Sequence, residues 1–169
     1  MNNIVVLVGL PGAGKGEIAK KLIADEIAGF VSEKTIIVSL DNIREMVNGK
    51  YEFDESKEDI VWSIGFYSIK KALTMHYDVI IDDTLLSINK AERASLLRTL
   101  RSTEVLIKNS FNVIAVQVNT PSNICKLRRV NEDKGLGGLH WIRVIDELST
   151  RYEPIAEDGL EGFDMVAYY

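Results

Sequence analysis

A short glycine-rich segment with one lysine is the first feature of the sequence that predicts chemistry. Residues 9–16 read Gly-Leu-Pro-Gly-Ala-Gly-Lys-Gly and follow an apolar run at residues 4–8. Glycines at these spacings allow a tight turn whose backbone N–H groups face inward and can bind phosphate oxygens. A helix that begins at this turn adds free N–H groups, and Lys15 adds a full positive charge. The segment therefore predicts a phosphate-binding loop.

We expect this loop to bind ATP or GTP, with Lys15 reaching the β- and γ-phosphates. The residues assigned to the nucleotide are Gly9, Leu10, Pro11, Gly12, Ala13, Gly14, Lys15, Gly16 and Glu17. A hydroxyl residue usually follows the lysine and binds Mg²⁺, whereas this chain has Gly16 and then Glu17. Two interpretations of Glu17 stay open: it faces solvent at the helix start, or it acts on the nucleotide or the metal's water shell.

Asp41 and Arg44 follow the second apolar run of the chain. The carboxyl end of a strand in an open α/β sheet faces the ligand crevice, where an aspartate can accept the proton of an attacking hydroxyl. Arg44 lies one helical turn later and could bind a phosphate or carboxylate on the acceptor. The alternative is structural, with Asp41 capping a helix and Arg44 on the surface.

A second pair of acidic residues, Asp82 and Asp83, ends the third apolar run and precedes Thr84. Such a pair can orient Mg²⁺ through water molecules, which is the metal site that we expect here. The alternative is a solvated strand end in which Thr84 caps the next helix.

Short β-branched runs alternate with segments of helical spacing along the chain. The runs predict strands at residues 3–8, 35–39, 78–82, 111–118 and 163–168. The intervening patterns predict helices at residues 14–28, 41–47, 55–75, 89–108, 121–131 and 138–151. This alternation predicts an α/β fold, a parallel sheet of four to five strands with helices on both faces. The predicted core faces include Ile18, Leu22 and Ile23 in the first helix and Ile60, Ile64, Tyr67 and Ile69 in the third.

The composition and charge exclude several classes of protein. The chain has 169 residues, of which 46% are hydrophobic and 27% charged, as in globular proteins and unlike disordered ones. Its net charge of −5 produces no overall field that would draw it to nucleic acid. Cys125 is the only cysteine, which excludes an internal disulfide and suits a cytoplasmic location. We expect one domain over residues 1–169 and no membrane span.

The loop, followed by a strand and the Asp-x-x-Arg of residues 41–44, resembles the P-loop kinases of the polynucleotide 5′-kinase group. Residues 79–84, Val-Ile-Ile-Asp-Asp-Thr, look like the strand of these kinases that ends in Asp-Thr. Seryl-tRNA kinases and zeta-toxin-like kinases share much of this arrangement. The resemblance covers roughly residues 3–155 and implies a P-loop NTPase-type sheet with a small helical lid.

The resemblance also implies roles for individual residues on the acceptor side. Asp41 would be the general base and Arg44 would contact the acceptor, with Asp83 and Thr84 close to it. The residue types fit these roles, because a carboxylate accepts protons and a guanidinium binds anions.

A lid helix in related kinases carries arginines over the transferring phosphate, and the resemblance places Arg128 and Arg129 in that role. Because neighbouring helix residues point in different directions, we expect only one of the two to face the site. Where related kinases often have another arginine, this chain has Lys134, followed by a glycine-rich stretch at residues 135–138 that could act as a hinge.

These features predict an ATP-dependent phosphotransferase that moves the γ-phosphate to a hydroxyl acceptor, in the first place a polynucleotide 5′-hydroxyl. One alternative is a kinase of small molecules, nucleosides or nucleotides, which the Lys15-Gly16 step and the acidic net charge favour. Another is a nucleotide-binding protein with little or no catalysis, which Glu17 and the incomplete lid favour. A basic groove that leads to Asp41 would favour the polynucleotide.

Overall fold

The computed structural model describes residues 1–24, 31–50, 52–132, 137–157 and 159–169. Its strands are β1 (Asn2–Val8), β2 (Thr35–Ser39), β3 (Asp78–Asp82), β4 (Phe111–Gln117) and β5 (Met165–Tyr168). Its helices are α1 (Lys15–Ile23), α2 (Leu40–Asn48), α3 (Glu58–Thr74), α4 (Lys90–Ile107), α5 (Ser122–Asn131) and α6 (Gly138–Arg151). A single 3₁₀ turn, Glu55–Lys57, precedes α3.

The five strands form one sheet in the order β2-β3-β1-β4-β5, and every pair in it is parallel. The central strand β1 pairs with β3 on one side and β4 on the other, with Val5 opposite both Ile80 and Ile114. The predicted α/β class is therefore confirmed. Because all strands run the same way, their carboxyl ends meet at one edge, where β1 continues into the phosphate-binding loop.

Helices cover both faces of the sheet. Alternate residues of a strand point to opposite faces, so Ile4 and Val6 pack with the cluster that includes α3 and α4. Val5 and Leu7 pack on the other face against α1. A third apolar cluster joins the loop, through Leu10 and Ala13, to α5 and α6. The loop is thereby fixed between the sheet and this helix pair.

The predicted core face of α3 was wrong in part. Ile60 and Tyr67 are 53% and 68% exposed, and the buried stripe runs through Val61, Gly65 and Ile69. Apolar residues surround this helix, so their spacing does not identify the buried side. The buried side of α3 is the one that contains Gly65, where a Cβ atom would lie only 2.4 Å from Cδ2 of Leu40. This close approach holds α2, the helix of Asp41 and Arg44, against α3.

The first helix differs from its prediction at its end. Leu22 is buried as expected, but Ile23 is 46% exposed and is the last residue of α1. Residues 25–28, which the prediction included in this helix, lie outside the described residues, as do Lys134 and the first two residues of the 135–138 stretch. Within the described parts of the chain, no helix is long and apolar enough to cross a membrane.

Candidate functional site

A cavity of about 900 Å³ opens at the carboxyl edge of the sheet. Residues 12–16 of the loop line it together with side chains that follow the neighbouring strands and with the two arginines of α5. Among the predicted site residues these lining side chains are Lys15, Glu17, Asp41, Asp82, Asp83, Thr84, Arg128 and Arg129. The fold thus brings together residues that are more than a hundred positions apart in the sequence.

The loop has the backbone shape that its glycines predict. Gly12 and Gly14 have φ angles of +81° and +103°, which glycine adopts without steric cost. Gly14 is the N-cap of α1, and no side chain forms a capping hydrogen bond there. The first N–H groups of a helix lack partners within the helix, so this end of α1 is suited to bind phosphate oxygens.

Lys15 is buried beneath the loop and uses all three N–H groups of its ammonium. Nζ lies 2.9 Å from the carbonyl oxygen of Gly9, 3.0 Å from that of Leu10 and 2.9 Å from Oγ1 of Thr84. Burial lowers the pKa of Lys15, and the nearby Asp82 opposes this shift. Thr84 therefore positions the lysine of the loop rather than capping a helix.

Asp82 lies beside the loop position that usually carries a hydroxyl. A Cβ atom built on Gly16 would be 3.8 Å from Oδ2 of Asp82. Burial raises the pKa of Asp82, and Lys15 opposes the shift. Within the described parts of the chain, no group of three His, Cys, Asp or Glu side chains could hold a metal ion alone. One carboxylate beside a phosphate loop still fits Mg²⁺, which protein sites commonly bind through one or two carboxylates and the phosphates themselves.

Arg44 is surrounded by three carboxyl groups. Its Nε and Nη2 donate to the two oxygens of Glu58 at 2.9 and 3.0 Å, and Nη1 donates to Asp41 at 2.8 Å and to Asp83 at 3.0 Å. The Arg44 side chain is only 7% exposed. Burial acts against its charge, but the carboxylates outweigh burial and raise the pKa of Arg44. Trp62 Nε1 donates to Glu58 and holds it in place.

The three acidic partners of Arg44 differ in their access to the cavity. The side chain of Asp83 is 1% exposed and also accepts a hydrogen bond from the backbone N–H of Leu86, whereas that of Asp41 is 45% exposed. Burial raises the pKa of Asp83, and Arg44 opposes the shift. Asp41 is thus the carboxylate of this cluster that can meet a substrate.

Arg128 and Arg129 are both among the residues that line the cavity, and the expectation that only one of them faces the site stays a prediction. Nη1 of Arg128 donates to the carbonyl oxygen of Ala13 at 3.0 Å. The guanidinium of Arg129 lies over the ring of Trp141, with Cζ 4.8 Å from the ring centroid. The two guanidinium groups therefore have different partners, the loop for Arg128 and an aromatic ring of α6 for Arg129.

Glu17 is among the residues that line the cavity, but its carboxylate pairs with a lysine further along α1. Its carboxylate lies 2.8 Å from Nζ of Lys20, and both side chains are about 70% exposed. The hydrogen bond from Lys20 lowers the pKa of Glu17. This geometry favours the interpretation in which Glu17 faces solvent.

Glu58 and Trp141 are site residues that sequence reasoning missed. Glu58 contacts Arg44 across fourteen positions, and no motif links the two. Trp141 is buried in the α5–α6 packing, and its ring contacts the guanidinium of Arg129.

A sequence model of one family, described as an AAA domain (AAA_33), matches residues 4–133. No curated protein matches the chain.

Solved structures with the same fold include a fungal RNA kinase, at a TM-score of 0.60 and 16% identity over 99% of this chain and 73% of that one. The APS kinase CysC of Mycobacterium tuberculosis, in complex with AMPPNP and APS, has a TM-score of 0.57 and 18% identity over 99% of this chain and 88% of that one. A chain of the Pnkp1/Rnl/Hen1 RNA repair complex has a TM-score of 0.59 and 18% identity over 90% of this chain and 46% of that one. This chain therefore spans less than half of that relative. At sequence identities of 16–18%, the structural similarity shows that the fold is shared and nothing more.

Proposed function

Because this chain belongs to the AAA domain family AAA_33, a family of P-loop kinases, we propose that it transfers the γ-phosphate of ATP or GTP to a hydroxyl group. One observation carries the proposal: the same cavity is lined by the phosphate-binding loop with Lys15 and by Asp41. A donor phosphate and an acceptor hydroxyl can meet between them.

The donor end holds the triphosphate through the loop and the first N–H groups of α1. Lys15 exchanges at least one of its present hydrogen bonds for a phosphate oxygen. Asp82 is the side chain that would hold Mg²⁺, which when bound neutralises phosphate charge. Arg128 and Arg129 neutralise the charge that develops on the transferring group.

The acceptor end supplies the base. Asp41 accepts the proton of the attacking hydroxyl while that oxygen forms a bond to the γ-phosphorus. The bond between the γ-phosphorus and the bridging oxygen breaks, and the nucleoside diphosphate leaves with that electron pair. Arg44, Asp83 and Glu58 hold Asp41 in its orientation.

Two classes of hydroxyl acceptor have support. A polynucleotide 5′-hydroxyl is supported by the resemblance of the motifs and by the shared fold with an RNA kinase and an RNA repair complex. A small hydroxyl compound is supported by the carboxylates that surround Arg44. The single, buried cysteine supports a reducing location such as the cytoplasm for either reaction.

An acceptor screen with γ-labelled ATP or GTP and Mg²⁺ tests the proposal. The panel should contain 5′-hydroxyl DNA and RNA oligomers, tRNA, nucleosides, nucleoside monophosphates, sugars and water. Transfer to any hydroxyl compound that disappears in Lys15→Ala supports it. Tight nucleotide binding without transfer to any acceptor would identify a nucleotide-binding protein instead.

A further inference from the structure

We propose that the acceptor is a small hydroxyl compound that carries no phosphate or other anion beside its reacting hydroxyl, and that Glu58 determines this preference. The inference rests on the proposed function and names the substrate class of the same site. It comes from the state of Arg44, the side chain that would otherwise bind an acceptor phosphate.

Arg44 has little capacity left for an anion. A guanidinium has five N–H groups, and four are used: Nε and one on Nη2 by Glu58, and two on Nη1 by Asp41 and Asp83. The ring of Phe53 lies near one face of the guanidinium, with its centroid 5.9 Å from Cζ. One N–H group on Nη2 is left, so an acceptor phosphate that forms a paired contact would have to displace one of these partners.

The charge around Arg44 also opposes an anion. Three carboxyl groups face one guanidinium, so even with Asp83 protonated Glu58 and Asp41 outnumber the positive charge. Glu58 makes the strongest contact, because its two oxygens form a paired bond to Nε and Nη2 at 2.9 and 3.0 Å. Its own side chain is 13% exposed, so little solvent screens the pair.

The wall of the cavity on this side has no replacement for Arg44. Within the described parts of the chain, the residues of β2 and α2 that line the cavity are Ile37, Ser39, Asp41 and Asn42. The basic lining residues belong to α1 and α5, at the donor end. Ser39 and Asn42 offer polar groups that can bind a neutral hydroxyl compound. Among the described residues of β2 and α2, no lysine or arginine lines the cavity as a polynucleotide groove would require.

Matched pairs of acceptors test the inference. A nucleoside and its 3′-monophosphate present the same 5′-hydroxyl and differ by one phosphate, and a sugar and its phosphate form a second pair. Binding of each is titrated against the protein loaded with ADP and Mg²⁺, and transfer is measured with γ-labelled ATP. We expect kcat/KM and affinity to be at least about tenfold higher for the neutral member of the accepted pair. Higher values for the phosphorylated members, or efficient transfer to 5′-hydroxyl oligonucleotides, would overturn the inference while supporting the proposed function.

The binding arm separates the two proposals. Neutral compounds that bind more tightly than their phosphorylated partners but accept no phosphate would support the binding preference of the site and contradict the proposed function. A panel in which no compound, neutral or phosphorylated, binds or reacts would contradict both.

A variant tests the role of Glu58. Glu58→Gln keeps the shape of the side chain but releases Arg44 from a charged partner, so the preference for the neutral member should fall by about tenfold. Glu55→Gln removes the same charge from an exposed position nearby and should leave the preference unchanged. Thermal unfolding shows whether each variant folds. An unchanged preference in folded Glu58→Gln would exclude Glu58 as its determinant.

Discussion

Lys15 and Thr84 are joined by a hydrogen bond of 2.9 Å that connects the phosphate-binding loop to the segment after β3. Sixty-nine positions separate the two residues, and only the pairing of β1 with β3 brings them together. The bond holds a buried ammonium at the floor of the cavity. The site proposed for the donor phosphates is therefore formed by residues that follow two neighbouring strands, β1 and β3.

The first prediction concerns Lys15→Met. Loss of a charged hydrogen-bond donor to phosphate should weaken ATP binding by about 10- to 150-fold, as measured by calorimetry. Since burial disfavours the charge of Lys15, the thermal unfolding midpoint should stay equal or rise. Lys21→Met on the exposed side of α1 is the control and should change neither quantity. Unchanged ATP affinity in Lys15→Met would remove Lys15 from the donor site.

The second prediction compares two glycines with similar backbone angles, Gly12 at φ +81° and Gly49 at φ +72°. A Cβ atom at Gly12 would lie 2.5 Å from the carbonyl oxygen of Cys125. A Cβ atom at Gly49 would have no neighbouring atom within 4 Å. Both changes to alanine carry the cost of the left-handed backbone, about 1–2 kcal/mol. Gly12→Ala should lower the free energy of unfolding by about 1–3 kcal/mol more, because it forces α5 away from the loop. Urea unfolding of the two variants measures the difference, and equal losses would mean that α5 does not pack tightly on the loop.

Much of the fold could be predicted from the sequence. Continuous apolar runs predicted the largely buried strands β1, β3 and β4. The edge strands β2 and β5 are less buried and were also predicted at overlapping positions. The sequence predicted less well which face of a helix is buried. Gly65 sets the contact of α3 with α2 through the space that it leaves, and a search for apolar spacing does not register a missing side chain.

The site was predictable only where a local motif exists. The loop and Lys15 stand together in sequence, so their chemistry could be inferred. Arg44 was assigned to the acceptor from the Asp-x-x-Arg motif. Its partner Glu58 was not predicted, because it lies on another helix and an ion pair between helices leaves no local signal in the sequence. The roles assigned to individual site residues remain predictions.

The third prediction concerns Asp82 and pH. Burial raises its pKa in the folded protein, so folding favours the protonated form. The stability that this group contributes is present below its unfolded pKa of about 3.9 and is lost as the pH rises through the folded pKa. Asp82→Asn should therefore raise the thermal unfolding midpoint at pH 7, and the gain should shrink as the pH falls towards about 4.

The same variant should lose the Mg²⁺ dependence of ATP binding if Asp82 holds the metal ion. Asp59→Asn, on the exposed side of α3, is the matched control for both measurements. A stability gain in Asp82→Asn that does not vary with pH would contradict the assignment of the shift to this carboxyl.

The central claim is that Asp41 is the base of a hydroxyl kinase, and Asp41→Asn tests it most directly. The amide keeps an oxygen that can accept the hydrogen bond from Arg44, now 2.8 Å long, but it cannot take the substrate proton. ATP affinity and acceptor-dependent kcat are measured on this variant and on Asp59→Asn. We predict that Asp41→Asn lowers kcat by about 10²–10⁴-fold while ATP affinity stays within about twofold of the wild type. Joint loss of ATP binding and transfer, or transfer at the wild-type rate, would contradict the account.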